Sequence, residues 1–187
     1  MVDLGTGDGR FVLHTARSET RTLVIGIDAD ASSMIEASRK AERGPVPNAL
    51  FVVAAVESLP RELDGVADEV RIHFPWGSLL RGLVNVDGGV VARIAGLCAP
   101  AGSVTALVSI TERDRRMGAV LPAEPRTLRS SFATFGLDLT EAREATPEEI
   151  GATRSTWAKR LGAGSRRPAT LLRLIRTSSV QSSSGSC

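Results

Sequence analysis

Tyrosine is absent from this 187-residue chain, and its aromatics, two tryptophans and five phenylalanines, make up only 4% of it. Histidine and cysteine occur twice each. Cys98 and Cys187 have no CxxC or Cys/His spacing, so neither a zinc site nor a disulfide framework is indicated. His14 and His73 lie far apart and unaccompanied, so no metal is expected. No apolar run approaches the length of a membrane span, and the N-terminus lacks the basic start and apolar stretch of a signal peptide. The expectation is a cytoplasmic protein without a membrane partner. Hydrophobic residues at 42% and charged residues at 24% are ordinary for a globular chain, and the length suits one domain.

Acidic residues are also missing from one end. The last is Glu149, and seven basic residues follow it: Arg154, Lys159, Arg160, Arg166, Arg167, Arg173 and Arg176. The first 149 residues carry 16 Lys+Arg against 21 Asp+Glu, a net of −5. An acidic body with a basic C-terminal segment points toward a polyanion partner. On charge alone a solvated, charge-balanced helix face remains the alternative.

What is present alternates between strand and helix patterns. "MVDL" opens the chain, and a glycine-rich turn leads into a helix through "GRFVLHTARSE". "TLVIGID", "ALFVVAAV" and "ADEVRIHF" read as strands. "ASSMIEASRKAER" reads as an amphipathic helix with Met34, Ile35 and Ala41 at helical spacing. "GGVVARIAGLCAPAG" reads as a helix closed by Pro100 and Gly102, and "SVTALVSI" as a fifth strand. A helix around "EPRTLRSSFATFG", a strand near "LDLTEAREA", a helix "PEEIGATRSTWAKRLG" and a strand "ATLLRLIR" complete the set. Thr146, Pro147 and Glu149 form a capping box at the start of that last helix. Alternation of this kind predicts βαβ units, a mostly parallel sheet and helices on both faces. The domain is expected over 1–176, and the Ser-rich tail 177–187 is expected to be disordered.

"VDLGTGDGR" places Asp3, Gly5, Gly7 and Gly9 between a strand and a helix, where glycines let the backbone approach a ligand closely. The next strand ends in Asp28, at the distance needed to accept hydrogen bonds from ribose hydroxyls. The spacing is GxGxG with an acid two residues before it, not the GxGxxG of NAD enzymes. A carboxylate at Asp3 would repel a pyrophosphate and suit an amino-acid ammonium group. This first motif resembles that of class I S-adenosylmethionine (SAM) methyltransferases. "AAVESLP" resembles their adenine-contacting segment, which implies cofactor contacts at Ala55, Val56 and Glu57.

"HFPWGSLLRG" follows the fourth strand, and in such a fold it faces the substrate. N6-adenine methyltransferases have Asn/Asp-Pro-Pro-aromatic here, because an exocyclic amine needs an acceptor to free its delocalised lone pair. His73-Phe74-Pro75-Trp76 lacks that acceptor. A ring nitrogen such as adenine N1 has an in-plane lone pair and needs only orientation. The second tryptophan, Trp157, lies in "RSTWAKRLGAGSRR", and aromatics beside Arg/Lys are the usual equipment for gripping single bases. For either tryptophan alone, a place in the core is the competing explanation.

"FPWGSLLRG" together with "STWAKRLGAGSRR" resembles the aminoglycoside-resistance methyltransferases that modify N1 of adenine 1408 in 16S rRNA, over roughly residues 2 to 176. The resemblance implies a Rossmann-like class I methyltransferase with a mostly parallel seven-stranded sheet and a truncated first strand. It implies SAM as cofactor, 16S rRNA of the 30S subunit as partner, and a monomer. It puts a flipped adenine between Trp76 and Trp157, with the Pro75 carbonyl on its edge and Ser155 fixing the Trp157 loop. It puts Asp3, Gly5, Gly7, Asp28 and Ser78 on the cofactor, and Lys159, Arg160, Arg166 and Arg167 on rRNA phosphates. Two departures stand out. Family members carry a hairpin and a complete first strand before the glycine loop, whereas Met1 here lies two residues before Asp3, which leaves a stub and an expected bare sheet edge. Ser165 stands where some relatives have a basic residue, which would weaken docking. The rival readings are a small-molecule SAM methyltransferase and a truncated, non-catalytic RNA-binding relative.

Overall fold

The computed structural model describes residues 1–44, 46–121, 125–155, 158, 162–164 and 167–177. Seven strands form one sheet in the order β3-β2-β1-β4-β5-β7-β6. They are β1 (Val2–Leu4), β2 (Val24–Asp28), β3 (Ala49–Val53), β4 (Ala67–His73), β5 (Cys98–Val108), β6 (Leu137–Glu144) and β7 (Thr170–Arg176). The first five pair in parallel, while β7 runs antiparallel to both β5 and β6. The helices are α1 (Arg10–Ser18), α2 (Ala31–Arg43), α3 (Gly77–Val84), α4 (Gly88–Leu97), α5 (Glu112–Arg116), α6 (Pro125–Ala133) and α7 (Pro147–Ala152). Among the described residues no helix is long and apolar enough to cross a membrane.

β1 has three residues and lies in the middle of the sheet, paired with β2 on one side and β4 on the other. The Met1 carbonyl takes the Ile25 N–H at 3.0 Å, so pairing with β2 starts at the first residue. Its shortness leaves Ala67–Glu69 of β4 running past it, since Val2 pairs with Val70. Parallel strands buried on both faces read as continuous apolar runs, and all five residues of β2 are buried. The main core gathers Leu4, Ile27, Ile72, Leu83, Ile94 and Phe132 among others. A second cluster joins Phe74 to Leu107, Ala145, Ala158, Ala169 and Leu171. It ties the substrate-side loop after β4 to the C-terminal segment.

Three local expectations are corrected. The helix expected over 88–102 ends at Leu97, and Cys98 begins β5. Pro100 and Gly102 lie within that strand, next to a register shift against β4 and to Ala101 at φ 62°. Proline is tolerated at such a bulge. The helix expected over 147–162 ends at Ala152, because Arg154 takes a left-handed φ of 52° that no helix accommodates. Trp157 in it lies outside the described residues. α2 buries Met34 and Ala37, while Ile35 is exposed. α3 and α5 were not anticipated. The capping box of α7 is present, with Glu149 N–H on Thr146 Oγ1 and Thr146 N–H on Glu149 Oε2.

Candidate active site

The C-terminal ends of the parallel strands meet at the switch between β1 and β4, where an open α/β sheet leaves its ligand crevice. The glycine loop leaves β1 there. Gly5, Gly7 and Gly9 all have positive φ, and the N–H groups of Gly5 and Thr6 both donate to the Ile27 carbonyl. The glycines differ in purpose. A Cβ on Gly9 would lie 2.6 Å from Ala37 and Phe51, so Gly9 lets the start of α1 pack against α2 and β3. A Cβ on Gly7 would meet nothing within 4 Å, because Gly7 faces open space.

That space is a cleft of about 960 Å³. Asp3 lines it from β1, Gly5 and Gly7 from the loop, Pro75 and Trp76 from the turn after β4, and Ser155 and Arg167 from the C-terminal segment. A smaller cavity of about 140 Å³ adjoins it, lined by Asp28, Ala55, Val56, Glu57 and Ser78 among others. Gly5, Pro75, Trp76 and Gly77 belong to both. Every described residue expected to touch cofactor or base therefore lies on one of two connected cavities. Trp157, Lys159, Arg160, Ser165 and Arg166 lie outside the described residues, as does the tail from 178.

Asp28 is nearly buried and both its oxygens are engaged, Oδ2 by Gly7 N–H at 2.8 Å and Oδ1 by Asp30 N–H at 2.9 Å. Each oxygen keeps a second acceptor direction. Asp3 is 2% exposed; Thr6 Oγ1 donates to its Oδ2 at 2.5 Å, and Oδ1 has no hydrogen-bond partner. An orphaned carboxylate oxygen beside a glycine cradle offers an acceptor for an ammonium group, which fits the amino-acid end of a SAM molecule.

The Phe-Pro-Trp-Gly turn explains the exposed tryptophan. Phe74 takes φ 51°, an outlier for a bulky residue, and Gly77 takes φ 63°. Phe74 is held by its N–H to the Leu107 carbonyl, 2.7 Å, and by its ring in the second core cluster. Between two left-handed residues Trp76 is thrown outward, 67% exposed, which rules out a core role. It stands where the two cavities meet. Opposite, Ser155 accepts Ala158 N–H at 3.1 Å and donates its own N–H to Thr153 Oγ1 at 3.2 Å.

A family described as NpmA, 16S rRNA (adenine(1408)-N(1))-methyltransferase, matches residues 1–175. The chain belongs to this 16S rRNA adenine-1408 N1-methyltransferase family. A member from Escherichia coli is 30% identical over 179 residues, 89% of this chain and 82% of that one. A tryptophan variant of the Catenulisporales acidiphilia member, solved with the cosubstrate SAM, superposes with a TM-score of 0.84 at 29% identity, covering 96% of this chain and 86% of that one. The aminoglycoside resistance methyltransferase NpmB1 gives 0.75 at 36% identity, covering 94% and 86%.

Within this family frame some site features escaped the sequence. Thr6, which holds Asp3, and Arg81, Arg113 and Arg116 on the cleft were not singled out. "TERD" carried a usable signal, since Thr111 and Asp114 close a capping box that starts α5. Arg173 and Arg176, counted in the basic segment, are engaged within the protein: Arg173, though exposed, pairs with Glu141 and Glu149, and Arg176 donates to the Phe135 carbonyl. Among the described residues no three His, Cys, Asp or Glu side chains gather as metal ligands would.

Proposed function

We propose that this chain methylates N1 of adenine 1408 in 16S rRNA of the assembled 30S subunit, and so confers aminoglycoside resistance. The observation that carries the reading is Trp76: an exposed indole fixed at the junction of a cofactor-sized cavity and a wide cleft. A flipped base stacked there would present its edge to the cofactor cavity. Trp157 supplies the second face of the slot, Ser155 orients its loop, and the Pro75 carbonyl holds the base edge.

Bound SAM supplies an electrophilic methyl group on its sulfonium. Asp3 takes the ammonium end, Asp28 the ribose, Ala55, Val56 and Glu57 the adenine, and Gly5, Gly7 and Ser78 line the path between. The protein's task at the base is orientation. Neutral N1 carries an in-plane lone pair, so no general base is needed for in-line attack, and Asp3 and Asp28 move no proton. Lys159, Arg160, Arg166 and Arg167 meet rRNA phosphates. The catalytic domain extends over 1–176, with the Ser-rich 177–187 outside it, and the protein acts as a monomer in the cytoplasm.

The test is primer extension at adenine 1408 after incubating purified protein with 30S subunits and SAM. A SAM-dependent stop at that position supports the reading. Methylation of a metabolite without a stop on 30S subunits would overturn it in favour of a small-molecule enzyme, and RNA binding without SAM binding in favour of a non-catalytic relative.

A further inference from the structure

Among the described residues, three buried side-chain atoms lack a hydrogen-bond partner: Asp3 Oδ1, Arg71 Nε and His73 Nδ1. They occupy one place. Asp3 pairs in register with Arg71 across β1 and β4, and His73, two residues on, shares that face of the sheet. His73 Nδ1 lies 3.4 Å from Asp3 Oδ1 without the alignment of a hydrogen bond. Buried polar atoms are rarely left unpaired, and a group of them beside a cleft calls for a ligand that completes it. Both Asp3 and His73 line the cleft.

We propose that His73 is a further cofactor-binding residue, its neutral Nδ1 sharing the ammonium of SAM with Asp3 Oδ1. The inference rests on the SAM reading above and adds a residue to it. An ammonium has three donors and can satisfy both orphaned acceptors at once. Arg71 is turned to Glu69, with which it forms an ion pair. The ring of His73 is fixed for the purpose: Phe11 of α1 packs edge-on against it, centroids 4.5 Å apart at 78°.

A proton on His73 competes with the ammonium. An imidazolium here would pair with Asp3 and repel a second cation, so only the neutral ring can share the ammonium. The charged groups facing His73 are Asp3 from β1 and Arg71 and Glu69 from its own strand. Phe11 and Leu107 bring none from α1 and β5, and Asp8, Asp30, Arg81, Glu112, Arg113, Asp114, Arg116, Arg154 and Arg167 lie around the cleft. His14, the other histidine, is exposed on α1.

The experiment is calorimetric titration with SAM between pH 5.5 and 7.5, over which an α-amino group of ordinary pKa, about 7.7–8.0, stays more than half protonated. The full chain should bind SAM more tightly as pH rises across this range. His73→Asn keeps an acceptor that cannot be protonated, so it should bind at a pH-independent affinity near the wild type's upper plateau. His73→Leu should bind about tenfold more weakly than that plateau, also without pH dependence. 5′-Methylthioadenosine, which lacks the amino-acid end, should bind alike to all three at every pH, and His14→Gln should keep the wild-type profile. A flat wild-type profile overturns the proposal while leaving SAM binding in place, as does a His73→Asn variant that keeps the slope. Absence of SAM binding at any pH overturns the methyltransferase reading itself. Should His73→Leu fail to fold, the wild-type and His73→Asn profiles decide.

Discussion

On the cofactor side of the cleft, the groups that shape the wall are bonded to backbone. Asp28 takes the N–H groups of Gly7 and Asp30, Ser33 Oγ donates to the Gly7 carbonyl at 2.9 Å, and the Ile27 carbonyl takes two loop N–H groups. On the facing side, α7 stops after six residues, Arg154 turns left-handed, and side chains carry the fastening. Arg143 grips Glu149 with two nitrogens at 2.7 and 2.8 Å, and Arg173 reaches Glu149 at 3.3 Å and Glu141 at 3.1 Å. The first wall is dictated by chain geometry and the second by charges and caps. A cofactor is the same molecule at every turnover and suits a fixed cradle. An rRNA surface is met over a wide area, where specific side chains matter more than the path of the backbone. Substitutions should therefore separate fold, cofactor and RNA effects according to the wall they touch.

The largest effect is expected within the glycine loop itself. Gly9→Ala combines a left-handed φ, about 1–2 kcal/mol for a residue with a Cβ, with overpacking against Ala37 and Phe51, about 1–3 kcal/mol. In a chain of this size each kcal/mol lowers the midpoint of thermal unfolding by about 2–4 °C. Gly7→Ala faces open space and should lose only the φ term, yet its methyl enters the cleft and should weaken SAM binding. Thermal unfolding beside a SAM titration separates them. Equal SAM affinity in Gly7→Ala and the wild type would remove the loop from the cofactor site.

Trp76→Ala comes next. Losing a stacking face costs about 1–3 kcal/mol per base, comparable with the cost of unstacking it, so the flipped adenine should no longer be held. Because the indole is 67% exposed, thermal stability and SAM affinity should stay at wild-type values. Trp76→Phe keeps a π-face and should retain part of the activity. Full methylation by the alanine variant in primer extension would refute the slot.

Arg167→Glu addresses the facing wall, where the side chain is exposed on the cleft. Methylation of 30S subunits should fall and SAM affinity hold. The slope of log affinity for the subunit against log salt should flatten by about one for each phosphate the protein no longer neutralises. Loss of SAM binding in this variant would make the segment a structural support of the cofactor wall, and the contrast between the walls would fail.

The legibility of these regions followed the same division. β2 was readable as a β-branched run, the α7 start as a capping box, and the glycine loop with Asp3 and Asp28 beside it by their spacing, because each is a local signal. The end of α4 was misplaced because "AGLCAPAG" is apolar throughout, and only the pairing of Cys98 with Ala67 turns it into strand. The break at Arg154 has no glycine or proline to announce it. The meeting of Asp3 and His73 depends on β1–β4 register across 70 residues, which no local pattern carries.

The smallest effect concerns the fastening behind the facing wall. Hydrogen bonds from Arg143, and then from the Thr146 N–H, hold the Glu149 carboxyl down at about 2, below its ordinary 4.5. A carboxyl depressed in the folded state contributes stability that is present above its unfolded value and lost as pH falls through its folded one. For Glu149 that window runs from about pH 4.5 down to about 2. Glu149→Gln keeps much of the shape but gives up the charge, so its unfolding midpoint should lie slightly below wild type at pH 7. The two curves should converge as pH drops through that window. Exposed and half-exposed pairs contribute little, about 0–1 kcal/mol, so the offset at pH 7 should be a few degrees at most. Parallel curves from pH 7 to 2 would mean that Arg143 and Arg173 find other acceptors, and that the facing wall keeps its shape without the charge on Glu149.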